Sequence, residues 1–167
     1  MMMKSQVGII MGSDSDLPIM KAAAMALDEL GVGYEMHIMS AHRTPEDVAS
    51  FAVEAPERGV RVFIAGAGGA AHLAGVLAAY TVLPVIGVPI SSGSASLGGL
   101  DALLAMVQMP AGIPVGTVAI NGARNAGLLA AQIIAVNNPE LTAKLATMRD
   151  QMAESVRAKD RKLQENS

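Results

Sequence analysis

The segment IMSAHRTPED, residues 38–47, places a serine, a histidine and an arginine within four positions, directly before a Thr-Pro pair. His42 is a candidate for proton transfer, because an unperturbed imidazole with a pKa of about 6.5 exchanges a proton near neutral pH. Arg43 can hold a phosphate through the paired N–H groups of its guanidinium, and Ser40 can add a hydroxyl donor. The segment therefore predicts a proton-transfer residue beside an anion-binding group.

The loop MGSDSD, residues 11–16, offers a second set of polar groups. It is only weakly similar to a phosphate-binding loop, because the chain lacks the pattern G-x-x-x-x-G-K-[ST]. One interpretation is structural: Ser15 or Asp16 caps the helix that follows. In the other, Ser13 and the loop amides bind a phosphate, while a carboxylate accepts hydrogen bonds from the hydroxyls of a sugar.

The loop GAGGAA, residues 66–71, fits the pattern G-x-G-x-x-A of dinucleotide-binding proteins, but its context does not. It follows the third predicted strand, and the next acidic residue along the chain is Asp101. The glycines serve either the close approach of a ligand to the backbone or the packing of a helix on a strand. His72 opens the next predicted helix, and both a structural and a functional role remain open for it.

The sequence gives little support for a metal site or for a cysteine or serine nucleophile. His37 lies within the second predicted strand, where a structural role is expected. The chain has no cysteine, which excludes disulfides, thiolate metal sites and a cysteine nucleophile. Its three histidines and few carboxylates have no metal-ligand spacing, and there is no G-x-S-x-G nucleophile motif. No metal is therefore predicted.

Length and composition favour one compact domain spanning residues 1–167. Hydrophobic residues make up 51% of the chain, with only two Phe, two Tyr and no Trp, so the core must be aliphatic. A net charge of −3 without a basic run argues against binding to nucleic acid. The N-terminus enters an apolar strand without a signal-peptide pattern, so we expect a cytoplasmic protein.

The distribution of charge is more informative than its sum. Between Val62 and Pro139 the only charged residues are Asp101 and Arg124. A membrane span would explain this, but glycines, His72 and two prolines divide the uncharged stretch into short elements. A sheet buried on both faces, with helices buried between subunits, explains it better. We therefore expect a homo-oligomer and no membrane segment.

Short apolar runs alternate with helical patterns, which predicts a parallel sheet with right-handed crossovers. Thr44 and Pro45 predict the start of a helix that runs toward Gly59, with Pro56 expected to kink it or end it early. An amphipathic pattern after Pro139 predicts an extra C-terminal helix, which has room to pack on a neighbouring subunit. The predicted fold is a flavodoxin-like three-layer αβα sandwich with a five-stranded parallel sheet. Its strands are predicted at residues 6–12, 33–40, 61–66, 83–90 and 115–120.

The polar loops all follow predicted strands. Ligands of open parallel sheets bind beyond the carboxyl ends of the strands, and these ends meet at one edge. The segments that follow the strands in turn are GSDSD, SAHR, GAGGAAH, SSGSASLGG and NGARN. The sequence therefore predicts a single site at this edge.

The same motifs resemble those of the N5-carboxyaminoimidazole ribonucleotide mutase family of purine biosynthesis. The resemblance extends in order over roughly residues 7–135. It rests on GIIMGSDSD, SAHRTP, IAGAGGAAHL, LPVIGVP, VQMPAGIPVGT and NAGLLAAQI.

The resemblance implies a three-layer α/β sandwich, an octamer, and a ribonucleotide monophosphate substrate whose carboxylate moves from N5 to C4 of an aminoimidazole. It implies no metal, ATP or organic cofactor. His42 would protonate the carbamate nitrogen, carbon dioxide would be released in a closed pocket and add to C4, and neutral His42 would remove the C4 proton. Ser13 and Asp16 would bind the substrate and Arg43 its phosphate. The remaining residues implied at the site are Ser40, Gly68, Gly69, Ala70, His72 and Leu73.

Two segments depart from the family pattern: the loop at 91–99 is longer than expected, and NGARN, residues 121–125, is shorter. A related class carboxylates aminoimidazole ribonucleotide directly with carbon dioxide, but HRTP after the SA pair favours the mutase. A third possibility is a flavodoxin-like binding module, such as a phospho-receiver or a flavin protein. The chain lacks the Asp after strand three and the Lys after strand five of a receiver, and has few aromatic residues to flank a flavin.

Overall fold

The structure is a computed structural model that describes residues 4–91 and 97–165. Most of the longer loop, residues 92–96, therefore lies outside the described residues. The strands are β1 Val7–Met11, β2 Tyr34–Ile38, β3 Val62–Gly68, β4 Val85–Ile90 and β5 Gly116–Thr117. The helices are α1 Leu17–Leu30, α2 Pro45–Arg58, α3 Leu73–Ala79, α4 Leu100–Val107, α5 Ala123–Ala135 and α6 Pro139–Glu165, and a 3-10 turn spans Asp14–Asp16.

The described strands form one parallel sheet in the order β2-β1-β3-β4-β5. This order, with the chain reversing direction across the sheet after β2, is that of a flavodoxin-like doubly wound fold. The three central strands are almost completely buried, as their uninterrupted apolar sequences require when helices cover both faces. The predicted fold class is confirmed.

Alternation along the strands divides the core into two apolar clusters, one on each face of the sheet. In β1, Val7 and Ile9 belong to the cluster under α1 and α5, whereas Ile10 belongs to the cluster under α2, α3 and α4. The extra helix α6 joins the first cluster through the buried Leu141, and its second half is exposed. The two clusters pack the helices against both faces of the sheet, and this packing fixes the strand ends from which the loops at the carboxyl edge begin.

Two predicted elements differ from the structure. β5 is limited to Gly116–Thr117 instead of residues 115–120. It is an edge strand, and its regular pairing with β4 ends after two residues. Beyond Thr117 the chain still makes backbone hydrogen bonds to β4. Val118 N donates to Gly87 O at 3.0 Å, and Asn121 N donates to Pro89 O at 2.8 Å. Helix α2 runs through Pro56 to Arg58. Pro56 lies in its last turn, where it disrupts little of the helix that follows.

Gly127 of α5 lies directly against the backbone of α1. A Cβ atom at this position would lie 2.6 Å from the carbonyl oxygen of Ala23 and 3.1 Å from its Cα. We expect Gly127→Ala to lower the free energy of unfolding by about 2 kcal/mol, since backbone atoms cannot move aside as a side chain does. Urea denaturation measures this loss.

Gly116→Ala is the matched control, because its Cβ would meet nothing closer than the carbonyl oxygen of Val85 at 3.8 Å. Its unfolding free energy should stay within about 0.5 kcal/mol of the parent. A Gly127→Ala variant as stable as Gly116→Ala would contradict the close contact between α1 and α5.

Candidate active site

A cavity of about 370 Å³ opens at the carboxyl edge of the sheet. Its size lies within the range usual for small-molecule sites. The loops after β1, β2 and β3 and the start of α4 form its walls. The structure thus brings together groups that are far apart in the chain, as the sheet topology predicts. The residues lining it are Gly12, Ser13, Ser15, Asp16, Ser40, Ala41, His42, Arg43, Ala67, Gly68, Gly69, Ala70, Leu73 and Asp101.

The turn that carries His42 and Arg43 is held by hydrogen bonds between Ser40 and its neighbours. The Ser40 hydroxyl oxygen accepts from the backbone N–H groups of His42 at 3.3 Å and Arg43 at 3.2 Å. Thr44 is the N-cap residue of α2, as predicted, but its hydroxyl makes no capping bond: it accepts from Ser40 N at 3.0 Å and donates to Ser40 O. Ser40 therefore shapes the turn and keeps its own hydroxyl proton as a donor for a ligand.

Arg43 lies across the cavity between the loops after β2 and β1. Its Nη2 donates to the carbonyl oxygen of Gly12 at 2.8 Å, and its Nε donates to the Ser40 hydroxyl at 3.3 Å. These bonds fix the plane of the guanidinium, while its remaining N–H groups stay suited to an anion. The positive charge is thereby positioned before any ligand binds.

His42 contacts His72, which follows β3. The His42 Nε2 and His72 Nδ1 atoms are 2.9 Å apart, and the two rings meet edge to face with centroids 5.0 Å apart. Such a bond requires a proton on one nitrogen and a lone pair on the other. His72 therefore reaches the site through His42, and its ring orients the imidazole that was predicted to transfer protons.

The loop after β1 turns back on itself around Asp16. The side chain of Asp16 is only 4% exposed, and its Oδ2 accepts from the backbone N–H of Ser13 at 3.1 Å. Ser13 in turn accepts from Ser15 N at 3.3 Å, which completes a reciprocal cap on the 3-10 turn. The structural interpretation was thus partly right, but the capping residue is Ser13. Asp16 is left as the buried carboxylate of the cavity.

Burial is the main reason that the pKa of Asp16 is raised above its ordinary value. The N–H bond from Ser13 opposes this shift, and the neighbouring carboxylate of Asp14 adds to it. The charge of Arg43 and an N–H bond from Gly12 lower the pKa by smaller amounts. A charged Asp16 therefore lowers the stability of the ligand-free protein, as is common for groups held ready for a ligand.

The raised pKa predicts a pH dependence of stability. At a pH between the pKa of Asp16 in the unfolded chain and its higher pKa in the folded protein, the folded protein binds more protons than the unfolded chain. The stability contributed by protonated Asp16 is therefore lost as the pH rises through the folded pKa. We expect the unfolding free energy of the parent to fall relative to that of Asp16→Asn as the pH rises from about 3.9, the ordinary pKa of an aspartate, through the raised pKa of the folded protein. Urea denaturation across this range measures the difference.

Asp150→Asn, an exposed position on α6, is the control and should follow the parent at every pH. An Asp16→Asn variant whose stability runs parallel to the parent would mean that the carboxyl is not perturbed by burial.

The end of β3 at Gly68 and the loop after it contribute backbone and very little side-chain bulk. Gly68, Gly69 and Ala70 line the cavity, and Gly69 adopts a φ of +59°, which favours glycine. Leu73 follows as a buried side chain at the start of α3. This wall lets a ligand come close to the main chain and gives the cavity an apolar side.

Sequence reasoning missed Asp101, which lies in the first turn of α4 and lines the cavity. The one available signal was its isolation as an acidic residue in a long uncharged stretch.

His37 lies apart from the cavity lining, near Glu35 at 3.5 Å and edge-on to Phe51, as expected for a structural residue. In the parts of the chain that the structure describes, no group of three or more His, Cys, Asp or Glu could hold a metal. Among the described residues, no helix is both long enough and apolar enough to cross a bilayer.

The fold and the cavity define a flavodoxin-like α/β protein with a cavity of small-molecule size at the carboxyl edge of its sheet. Comparison with known proteins gives the particular family. Residues 6–155 match the family model described as AIR carboxylase. The chain belongs to this family.

Individual relatives are similar in sequence to this chain over nearly its whole length. The N5-carboxyaminoimidazole ribonucleotide mutase of Pyrococcus horikoshii is 58% identical over 162 residues, covering 97% of this chain and 90% of the relative. The mutase of Thermotoga maritima is 54% identical over 160 residues, covering 96% of this chain and 92% of the relative. The crystal structure of Treponema denticola PurE has a TM-score of 0.85 at 29% identity, covering 95% of this chain and 98% of that one.

Proposed function

We propose that this chain converts N5-carboxyaminoimidazole ribonucleotide to 4-carboxy-5-aminoimidazole ribonucleotide in purine biosynthesis. The observation that carries the proposal is the single cavity that holds His42, Arg43 and Asp16 together. It offers a proton-transfer group, a cation for a phosphate and a carboxylate for a sugar diol, which are the groups that this substrate needs. Relatives more than half identical over most of the chain carry the name of this mutase.

In the proposed complex, Arg43 holds the 5′-phosphate and the Ser40 hydroxyl donates to its oxygens. The Ser13 hydroxyl, which donates to Asp14 Oδ1 at 3.1 Å in the ligand-free protein, turns to the phosphate as well. Asp16 accepts hydrogen bonds from the ribose hydroxyls, which repay the cost of keeping its buried carboxylate charged. The backbone of Gly68, Gly69 and Ala70 then lies against the rest of the nucleotide. Together, these contacts to the phosphate and the ribose orient the aminoimidazole with respect to His42.

The first chemical step is the loss of the carboxyl group from N5. Protonated His42 has two N–H groups, one for His72 and a second for the substrate. Its proton goes to N5 while the N5–carbon bond breaks and its electron pair returns to nitrogen. The products in the cavity are aminoimidazole ribonucleotide, carbon dioxide and neutral His42.

The second step uses the same residue as a base. C4 of the aminoimidazole is the carbon of an enamine, so it attacks carbon dioxide and a new carbon–carbon bond forms. Neutral His42 then removes the C4 proton, which restores the aromatic ring and the starting charge of the histidine. The apolar wall formed by Gly68, Gly69, Ala70 and Leu73 would keep water from the reaction and carbon dioxide from diffusing away.

A carboxylase that takes carbon dioxide from solution is the second candidate, because the matching family model carries that description. Isotopic labelling separates the two activities. Unlabelled carbamate substrate is supplied in buffer containing ¹³C-bicarbonate, and the product is examined by mass spectrometry. Product without label supports the mutase, and fully labelled product supports the carboxylase. No product above that of the protein-free control would refute both.

We also propose that the chain acts as a homo-oligomer, an octamer as the resemblance implies. Helix α4 exposes Leu100, Leu104 and Val107. Tyr80 and Val82 form a further exposed apolar pair. Contacts between subunits would bury such side chains. Light scattering after gel filtration tests this, and a particle mass close to that of one 17.1 kDa chain would refute it.

A further inference from the structure

Asp101 has no part in the functions assigned above, although it lines the cavity. It is half-buried at the start of α4, where its Oδ1 accepts from the backbone N–H of Ala102 at 3.0 Å. Within residues 4–91 and 97–165, its carboxylate forms no ion pair within 4.0 Å. Its second oxygen therefore remains an acceptor for a ligand in the cavity.

A second carboxylate is unexpected in a site for an anionic ligand. The cavity lining contains Asp16 and Asp101 against a single Arg43. A carboxylate repels a phosphate, so Asp101 must face a part of the ligand that donates hydrogen bonds. Otherwise its charge would weaken binding without any compensating interaction.

The fold places Asp101 and Arg43 toward opposite sides of the cavity. Arg43 follows β2, and Asp101 lies in α4, which follows β4 and packs against it. With β1 and β3 between them, the ends of β2 and β4 are separated by three strand spacings, roughly 14 Å. In the proposed complex, a nucleotide whose phosphate is held at Arg43 can therefore span the cavity and place its base at Asp101.

The donors of an aminoimidazole ribonucleotide are the ribose hydroxyls and the exocyclic amine on the ring. Asp16 already serves the hydroxyls in the proposed function, on which this inference rests. We propose that Asp101 recognises the base, by accepting a hydrogen bond from the exocyclic amine of the aminoimidazole ring.

The same contact assists the carboxylation step. When C4 bonds to carbon dioxide, the electron pair of the exocyclic nitrogen moves into the ring, and a positive amidinium develops. The charge disappears when His42 takes the C4 proton. A carboxylate next to this amine stabilises the positive charge more than it stabilises the neutral ring, so it accelerates the step.

Two variants separate the charge from the hydrogen bond. Asp101→Asn keeps the size and one oxygen, shared between Ala102 and the ligand, but loses the charge, so we expect kcat to fall about 10- to 100-fold and KM to change less than in Asp101→Ala. Asp101→Ala loses both, so its affinity for aminoimidazole ribonucleotide should also fall roughly 10-fold. Ribose 5-phosphate, which lacks the base, should bind to both variants as it does to the parent, which also verifies that they are folded.

Asp47→Asn makes the same chemical change in the first turn of α2, at an exposed position outside the cavity lining, and should leave kcat unchanged. Parental kcat in Asp101→Asn would overturn the inference. So would a loss of affinity for ribose 5-phosphate equal to that for the whole nucleotide. A parent protein that makes no product would overturn the proposed function and this inference together, whereas an active parent matched by its variants would overturn the inference alone.

Discussion

His42→Asn is expected to lower kcat by about 10⁴-fold while the affinity for aminoimidazole ribonucleotide stays within about threefold of the parent. General acid–base catalysis by one side chain contributes about 10²- to 10⁴-fold, and His42 is proposed to act in both proton transfers. The asparagine amide retains a polar group near His72 but cannot take up or release a proton. Single-turnover kinetics with the carbamate substrate measure the rate, and calorimetry measures the affinity.

The control for this experiment is His37→Asn, which makes the same change on β2 at a residue outside the cavity lining. Its kcat should remain within about threefold of the parent. If His42→Asn retained parental kcat, His42 would be removed from the mechanism. If it lost binding and turnover equally, its role would be to hold the substrate.

Arg43→Met is expected to weaken the binding of ribose 5-phosphate and of the whole nucleotide by about 100-fold each. A charge-assisted contact between a guanidinium and a phosphate is among the stronger polar interactions, and Arg43 is proposed to provide it here. The effect on kcat should be smaller, because the phosphate takes no part in the chemistry. Calorimetric titration with both ligands, together with steady-state kinetics, measures these changes.

Arg43→Lys should recover part of the lost affinity, because lysine restores the charge but not the two-pronged contact or the bond to Gly12. Arg157→Met, at an exposed position of α6, serves as the control for the loss of one positive charge. If Arg43→Met bound ribose 5-phosphate like this control, the phosphate would have to be held elsewhere.

The fold was predictable because its signals are local. Buried parallel strands give uninterrupted apolar runs, and the helix starts carry their own markers, such as Pro45. The errors occurred where tertiary context outweighed these signals. Pro56 signals a break only if enough helix follows it, and β5 is short because an edge strand has hydrogen-bonding partners on one side only.

The sequence by itself determined the parallel α/β architecture and the edge of the sheet at which the site lies. It also determined the identity of most cavity residues, since each follows a strand whose end reaches that edge. The 38–47 segment already contained the histidine proposed to transfer protons, the arginine, and the serine that shapes their turn.

Only the tertiary structure decided how these groups contact one another. The 2.9 Å contact between His42 and His72 joins loops that are 30 residues apart, and the burial of Asp16 depends on how the loop after β1 folds over it. Asp101 lines the cavity only because α4 packs beside β4. Hydrogen bonds, burial and charge depend on distances through space, and no local pattern in the chain encodes these distances.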